Sequence, residues 1–580
     1  MTLFSMLSLG GSALQTQQIL MDVAGQNVAN AATPGYSRQR AELLRYPEYR
    51  YGNVLLGHGA YVGTISRVRE SLIDDRFRKE NSVLGEYAIR MDFLMQTEDI
   101  LGEPSDSGIA NGISTLFDNF QELSNNPEDP AVRTTVSSSA VTLADSIRST
   151  HEMLVNQSVS MSGFINSSVQ EINRLAQQIS ELNRSISTLE AGSAQANSSR
   201  DMRDQLLNQL SSIASVDIRN NANGTVSVYL DGYGIVQDYN YNPVGLRLNP
   251  GTASAGDYYE IIALNGGNRP LEIRSGSLKG YLDMRDGEVM NQMMSDLDTL
   301  ALSLIEEVNR IHSQGVGLTR YTSTTSDFAV TDPDATLDSA GLPFTPIDGS
   351  FYLAVYDTDG QLLEQHEITV DADTDSLNSI AAQINTAFAA DGRLTATVTP
   401  DNQLVLETTT AGDTFTFVSD DTQAGDTSDF LLAMGLNTFF TFDPEAGAAA
   451  SIAVSDRILA DPNLIAAARS PSPGDNSNAL ALAQLRDQPV IGAGASLTIE
   501  GFFQETLAYL GSETRQAIDK HDVVLGVVSG IANLRDSISG VSLDEEAINI
   551  MVAQQAYEAS AQFVGAVNDM LQVLLTELNA

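Results

Sequence analysis

Five histidines and not one cysteine set the chemistry open to this 580-residue chain. Without thiols there is no disulfide, thiolate–metal site or cysteine nucleophile. His58, His151, His312, His366 and His521 are never four apart on one helical face, and no His-Glu-x-x-His occurs, so a zinc peptidase has no ligand set. Gly57-His58-Gly59 with Gly63 approaches a dinucleotide fingerprint but has one residue too many before the third glycine. It reads as a tight bend between extended segments. Asp371-Ala-Asp373-Thr-Asp375 opens like a calcium loop, yet Ser376 stands where glycine is required and Ala382 where the bidentate glutamate belongs. That excludes an EF-hand and leaves weak calcium binding by an acidic surface as the open alternative. Asp357-Thr-Asp359-Gly360 reads as a hairpin turn. Asp544, Glu545 and Glu546 sit at a helix start, where carboxylates oppose the positive end of the dipole. His312 follows a long helical pattern and is expected to cap or pack its end. No P-loop and no Gly-x-Ser-x-Gly elbow occur. The expectation is a non-enzyme with no catalytic residue, no metal ligand and no cofactor.

The elements around these residues have clear periods. Leu7, Leu14, Met21 and Val28 recur every seven residues, which predicts a helix over 3–31 with a narrow stripe; Pro34-Gly35 stops it. Residues 36–70 read as extended or loop. Helical pattern dominates 83–215, interrupted at Asn-Asn-Pro-Glu-Asp-Pro, 125–130. Within it Ile165, Ile172, Ile179 and Ile186 hold one heptad position and Leu175, Leu182 and Leu189 the other, the signature of a two-stranded intramolecular coiled coil. At Val216 the period falls to two: Val226, Val228 and Leu230 lie between Asn223-Gly224 and Asp231-Gly232, a hairpin signal. Helix returns over 277–312. Strands are expected at 351–356, 367–370, 394–398, 404–407 and 414–418, with one helix at 376–389, then helices at 477–486 and 499–540. In the last helix Leu543, Ile550, Tyr557, Val564 and Leu571 again follow at intervals of seven, with Ala553, Val567 and Leu574 on the neighbouring position.

This predicts an α+β multidomain chain: a long coiled-coil-like helical bundle formed by both chain ends, with two mainly β domains inserted in the middle. The expected divisions are 1–70, an N-terminal helix and loop; 71–215, helical; 216–276, a small β domain; 277–320, a helical return; 321–450, an acidic β-rich insert; 451–498, a connection; and 499–580, C-terminal helices. The net charge is −44. Residues 321–450 hold Arg393 against 22 acidic residues, whereas residues 1–100 are almost neutral. Such a chain is repelled by nucleic acid. No apolar run approaches the ~20 residues of a membrane span, and the first basic residue is Arg38, so no cleaved secretory signal is expected.

The terminal segments carry a resemblance. Residues 14–40, LQTQQILMDVAGQNVANAATPGYSRQR, resemble the N-terminal signature of bacterial flagellar axial proteins. Asn27 to Gln39 resembles its form in the hook-associated protein 1 family, as do Gly540-Val-Ser-Leu543-Asp544-Glu545-Glu546, Gln554 to Ala561, Val308-Asn309-Arg-Ile-His312-Ser-Gln-Gly315 and Leu436-Asn437-Thr438-Phe439-Phe440. The resemblance implies a structural protein of the hook–filament junction, exported through the flagellar type III channel and located outside the cell. Its implied partners are further copies of itself in a ring or helical layer, the hook protein, the second junction protein (hook-associated protein 3), and an export chaperone on the C-terminal helix. On this basis Leu7, Leu14, Met21, Val28, Ile550, Tyr557, Val564, Leu571 and Leu574 are assigned to an intermolecular seam; the residues alone fit an intramolecular helical core equally well. Asn30, Thr33, Pro34, Gly35 and Tyr36 are assigned to the bend between inner helix and outer body. The terminal helices bury little alone and are expected to order on assembly. The rival readings are a hook or rod subunit, which normally has a Phe-Lys-type ending after the glycine, and a secreted adhesin using the acidic insert.

Overall fold

A computed structural model of the chain describes residues 3–51, 54–102, 105, 108–192, 194–250, 258–418, 425–492 and 494–578. Long helices at both ends enclose several small sheets in sequence order. The chain divides into two compact units, one of Met1–Phe93, Ser160–Gly287 and Thr514–Ala580, the other of Leu94–Val159 and Glu288–Glu513.

In the first unit the N-terminal helix runs Leu3–Ala29. It ends in a turn closed by Thr33 N–H to Asn30 O (2.9 Å) and Tyr36 N–H to Thr33 O (3.2 Å). Gly35 has φ +78°, a conformation that glycine adopts without steric cost. A two-stranded antiparallel ribbon follows: Gln39–Arg45 pairs with Ala60–Arg67, with a register shift between Glu42 and Leu43, and Tyr49–Tyr51 pairs with Val54–Leu56. Strands Val226–Leu230 and Tyr233–Gln237 form the hairpin read from the sequence, with Asp231 and Gly232 at φ 46° and 73°. They belong to a four-stranded antiparallel sheet, and Val244–Asn249, Tyr258–Ala263 and Arg269–Leu271 make a second of three strands.

The core of this unit explains the isoleucine heptads. Ile165, Ile172, Leu175 and Ile179 are buried in one cluster with Val226, Val228, Ile235, Ile261 and Leu271 of the sheets and Leu207 and Leu210 of helix Asn197–Ile213. The stripe therefore packs on sheets and a short helix, not on a second long helix. Ile186 is also buried, Leu182 is half-buried and Leu189 is exposed. An α-helix drifts ~20° per heptad against a strict seven-residue repeat, so a stripe not held by a supercoiled partner rotates off its face.

In the second unit, the 277–312 pattern resolves into helices Ser277–Asp286 and Glu288–His312, broken at Gly287, where ψ is 172°; the first of these belongs to the other unit. Strand Gly349–Tyr356 lies between Leu362–Val370 and Thr414–Val418, and Leu404–Thr408 lies between Ser323–Thr325 and Leu394–Val398. Helix Leu377–Ala387 starts at a capping box of Ser376 and Ser379 and buries Leu377, Ile380 and Ile384 against these strands. Asp357 and Gly360 close the expected hairpin turn. The Asp375 carboxylate accepts from Asp371 N–H, Ser379 Oγ and Gln383 Nε2, so it holds its loop and the helix start together.

Candidate assembly site

The first unit packs the two chain ends against each other. Gly10 lies so close to Val564 that a methyl group there would meet Val564 Cγ2 at 2.4 Å. Arg38, just past the first helix, reaches the beginning of the C-terminal helix, Leu543–Leu578. The pair is therefore antiparallel. Gly10, Thr16, Val23, Ala24 and Asn27 are the deepest positions of the first helix, and Ala553 and Val567 are buried on the last. Leu7, Leu14, Met21, Ile550, Val564 and Leu571 are half-buried, while Val28, Tyr557 and Leu574 are exposed. Small residues let the backbones approach, and the apolar stripes keep a large open face.

The bend is a network rather than a hinge of free residues. Asn27 is buried; its Oδ1 accepts from Gln39 N–H (2.9 Å) and Tyr36 Oη (2.8 Å), and its Nδ2 donates to Gln39 O (2.9 Å). Asn30 Nδ2 donates to Gln26 O and Thr33 Oγ1 to Asn30 Oδ1. Pro34 O accepts from Gln205 Nε2. Ser37 donates through N–H (3.1 Å) and Oγ (2.7 Å) to Asp201. Arg38 N–H donates to Ser539 O (2.9 Å), while its guanidinium pairs with Glu545 (2.8 Å) and Glu546 (2.7 Å). Burial, with Asp201 nearby, pushes the Tyr36 hydroxyl up from its ordinary value.

Beneath the bend lies a cluster that sequence reading missed. Asp204 pairs with Arg67 (2.7 Å), Arg69 (2.7 Å) and Arg78 (3.2 Å), Asp201 with Arg67 (2.8 Å), and Asp74 with Arg69 (2.6 Å). Burial alone would raise the Asp204 carboxyl, but the surrounding guanidiniums hold it below the ordinary carboxylate range. The available signal was the i,i+3 spacing of Asp201 and Asp204 on one helical face and the alternate spacing of Arg67, at the end of its strand, and Arg69 just beyond it. The arrangement is structural chemistry: paired, desolvated charges that, through Asp201 and Ser37, anchor the segment leaving the first helix.

In the second unit the two interior motifs meet. Asn309 accepts from Phe439 N–H (2.9 Å) and Phe440 N–H (2.8 Å) and donates to Phe440 O. Asn437, in left-handed conformation at φ 52°, donates to Ser313 O (3.0 Å) and Gly315 O (2.9 Å) and accepts from Tyr321 Oη (2.9 Å). His312 does pack the end of its helix. Its Nε2 accepts from Ala466 N–H at 2.9 Å, so Nδ1 carries the proton given to Asn437 O at 2.8 Å. Burial pushes this imidazole down to about 4.

Comparison with known proteins places these features. The family model "Flagellar hook-associated protein FlgK helical domain" matches residues 94–328, "Flagella basal body rod protein" residues 7–36, and "Flagellar basal body rod FlgEFG protein C-terminal" residues 535–577. Flagellar hook-associated protein 1 of Salmonella typhimurium is 26% identical over 593 aligned positions, covering 98% of this chain and 99% of the relative. That of Escherichia coli is 26% identical with the same coverage, and that of Bacillus subtilis is 28% identical over 52% of this chain and 66% of the relative. The fold resembles that of the flagellar hook junction protein FlgK from Burkholderia pseudomallei, with TM-score 0.52 and 16% identity over 80% of this chain and all of that one. With matched segments at both ends and in the middle, and a likeness running nearly the full length, the chain is similar along nearly its whole extent to hook-associated protein 1 of the flagellar axial proteins.

Proposed function

We propose that the chain is a structural component of the bacterial flagellum, forming the junction layer between hook and filament by self-assembly of its terminal helices. The observation that carries this reading is the near full-length likeness to hook-associated protein 1, joined to a terminal helix pair that leaves large apolar side chains open to solvent. The hook protein below and the second junction protein above are the neighbours this role requires. The chain would leave the cell unfolded through the flagellar export channel, with a chaperone on the C-terminal helix. A cysteine-free sequence suits that route, since a disulfide formed too early would block threading. None of the described helices is long and apolar enough to cross a membrane.

The rod-protein matches at both ends would also fit a hook or rod subunit. The hook-associated match over residues 94–328 favours the junction. Electron microscopy of a strain lacking the gene separates the two: hooks without filaments, with flagellin shed into the medium, support the junction, and loss of the hook itself supports the rival. Intact filaments would remove both.

A further inference from the structure

The ribbon after the bend carries apolar residues that its own chain leaves uncovered: Leu43, Leu44, Val54 and Leu55 are 51%, 49%, 57% and 64% exposed. Successive strand residues point to opposite faces, so the neighbours Leu43–Leu44 and Val54–Leu55 make both faces apolar. A two-stranded ribbon of this kind is marginal alone, and four large apolar side chains about half exposed or more on it mark a surface that something covers. Exposed Arg45 and Arg50 flank it.

The complementary surface is on the C-terminal helix. Asp544, Ile548, Met551 and Glu558 follow at spacings of four, three and seven, which places them on one face, and all four are exposed. The N-terminal helix contributes Asp22 and the C-terminal helix six acidic residues, with no Lys, Arg or His in either. Side-by-side copies of such a pair repel one another unless basic groups intervene. At the base of the chain's own ribbon Arg38 already pairs with Glu545 and Glu546, but the ribbon's outer half, with Arg45 and Arg50, is not placed to reach Asp544 and Glu558. A methyl group at Gly59 would meet Leu9 Cδ1 at 2.8 Å, and Gly10 lies against Val564. The ribbon's outer half thus begins level with Val564, about 20 Å of helix from Met551.

The geometry points to docking of the ribbon of one copy on the Asp544–Glu558 face of the C-terminal helix of a neighbouring copy, an inference that rests on the junction reading. Leu43, Leu44, Val54 and Leu55 cover Ile548 and Met551, and Arg45 and Arg50 face Asp544 and Glu558. Because the two surfaces differ, the contact is heterologous, and its repetition generates a ring or helical layer rather than a closed dimer.

A cysteine-free chain allows a direct test. Leu55→Cys and Met551→Cys variants of the full chain are co-expressed in the deletion strain, and isolated flagella are treated with a short bismaleimide. The expected result is a cross-linked two-copy band, absent when Ser472→Cys, an exposed site in the other unit, replaces Met551→Cys. Independently, Arg45→Glu/Arg50→Glu should lose filament attachment, and co-expression with Asp544→Arg/Glu558→Arg should restore it. Normal filaments with no cross-link, a band equal to the Ser472→Cys control, or charge reversal without effect overturns the docking. The deletion strain alone judges the junction reading, so the two can fail separately.

Discussion

Arg38 Nε lies 2.7 Å from Glu546 Oε1, although 508 residues separate them. Glu546 is nearly inaccessible while its neighbours Asp544 and Glu545 are exposed. This one contact joins the segment leaving the first helix to the start of the last. Glu546→Ala leaves Arg38 with the solvent-exposed Glu545 alone. It should weaken docking of the terminal helices by about 1–3 kcal/mol, read as faster amide hydrogen exchange across Leu3–Ala29 in the purified chain. Unchanged exchange would show that the pair contributes nothing.

Asp204 gives an acid-side prediction. Its folded carboxyl titrates below the ordinary range, so the stability it adds is complete above about pH 4 and is lost as pH falls through the folded value. Asp204→Asn should cost about 3 kcal/mol at pH 7 by leaving buried guanidiniums short of a partner. The cost should shrink toward pH 2. Urea unfolding of variant and parent at the two pH values measures it; an equal cost at both would assign the effect to packing.

His312 acts in a different window. The unfolded imidazole takes up a proton near pH 6.5, whereas the folded one resists until about 4. Stability from this group is therefore full above pH 6.5, falls as pH drops from 6.5 to 4, and levels off below. The total is about 3 kcal/mol. His312→Gln, which keeps hydrogen-bonding capacity without titration in this range, should remove that part of the slope. A parent and variant with parallel pH profiles would contradict the assignment.

Gly35 combines φ +78° with a neighbour that leaves no room: a methyl group there would lie 1.9 Å from Gln205 Nε2. Gly35→Ala should destabilise the bend by about 1–3 kcal/mol. Adding Gln205→Ala should recover only the steric share, since the backbone cost remains. Full recovery in thermal unfolding would mean the backbone conformation is unstrained.

Leu571→Asp tests the terminal seam. The side chain is half-buried and lies far along the helix from the sheets. The expected variant is secreted, keeps its β structure by circular dichroism, and fails to hold a filament. Normal filament attachment would remove Leu571 from the seam.

Much of the fold was legible because period and punctuation act locally. The 125–130 break, the Asp231-Gly232 hairpin and the Asp357–Gly360 turn need only their own residues to form. Partner identity was not legible. The Ile165–Ile179 stripe reports that one helical face is apolar, and a sheet covers it as well as a helix does. Three adjacent acids at 544–546 look equivalent until helical phase places Glu546 in line with Ala553 and Val567 on the buried side. Asp201 and Asp204 are ordinary surface residues by type; only the return of Arg67, Arg69 and Arg78 over more than 120 positions makes them a buried cluster. The motifs at 308–315 and 436–440 were each visible, but their mutual hydrogen bonding depends on the chain coming back across everything between.

That return has a consequence for the acidic domain itself. Tyr321 at its entrance and Asn437 at its exit are hydrogen-bonded at 2.9 Å, so the segment leaves and re-enters the body at one point. The free energy of closing such a segment depends only weakly on how many residues it holds. Closure entropy therefore constrains the length of that segment little; what ties it to the body is a set of contacts, Arg310 with Asp429, Arg457 with Thr325 O and Asp327, and Val316 packed with Tyr356 and Val418. The existing domain could be lengthened in its loops at little expense to the knot of Asn309, His312 and Asn437, provided those contacts are kept. The fold would thus carry a cassette position, where inserted length can vary while the contacts at its entrance and exit stay constant.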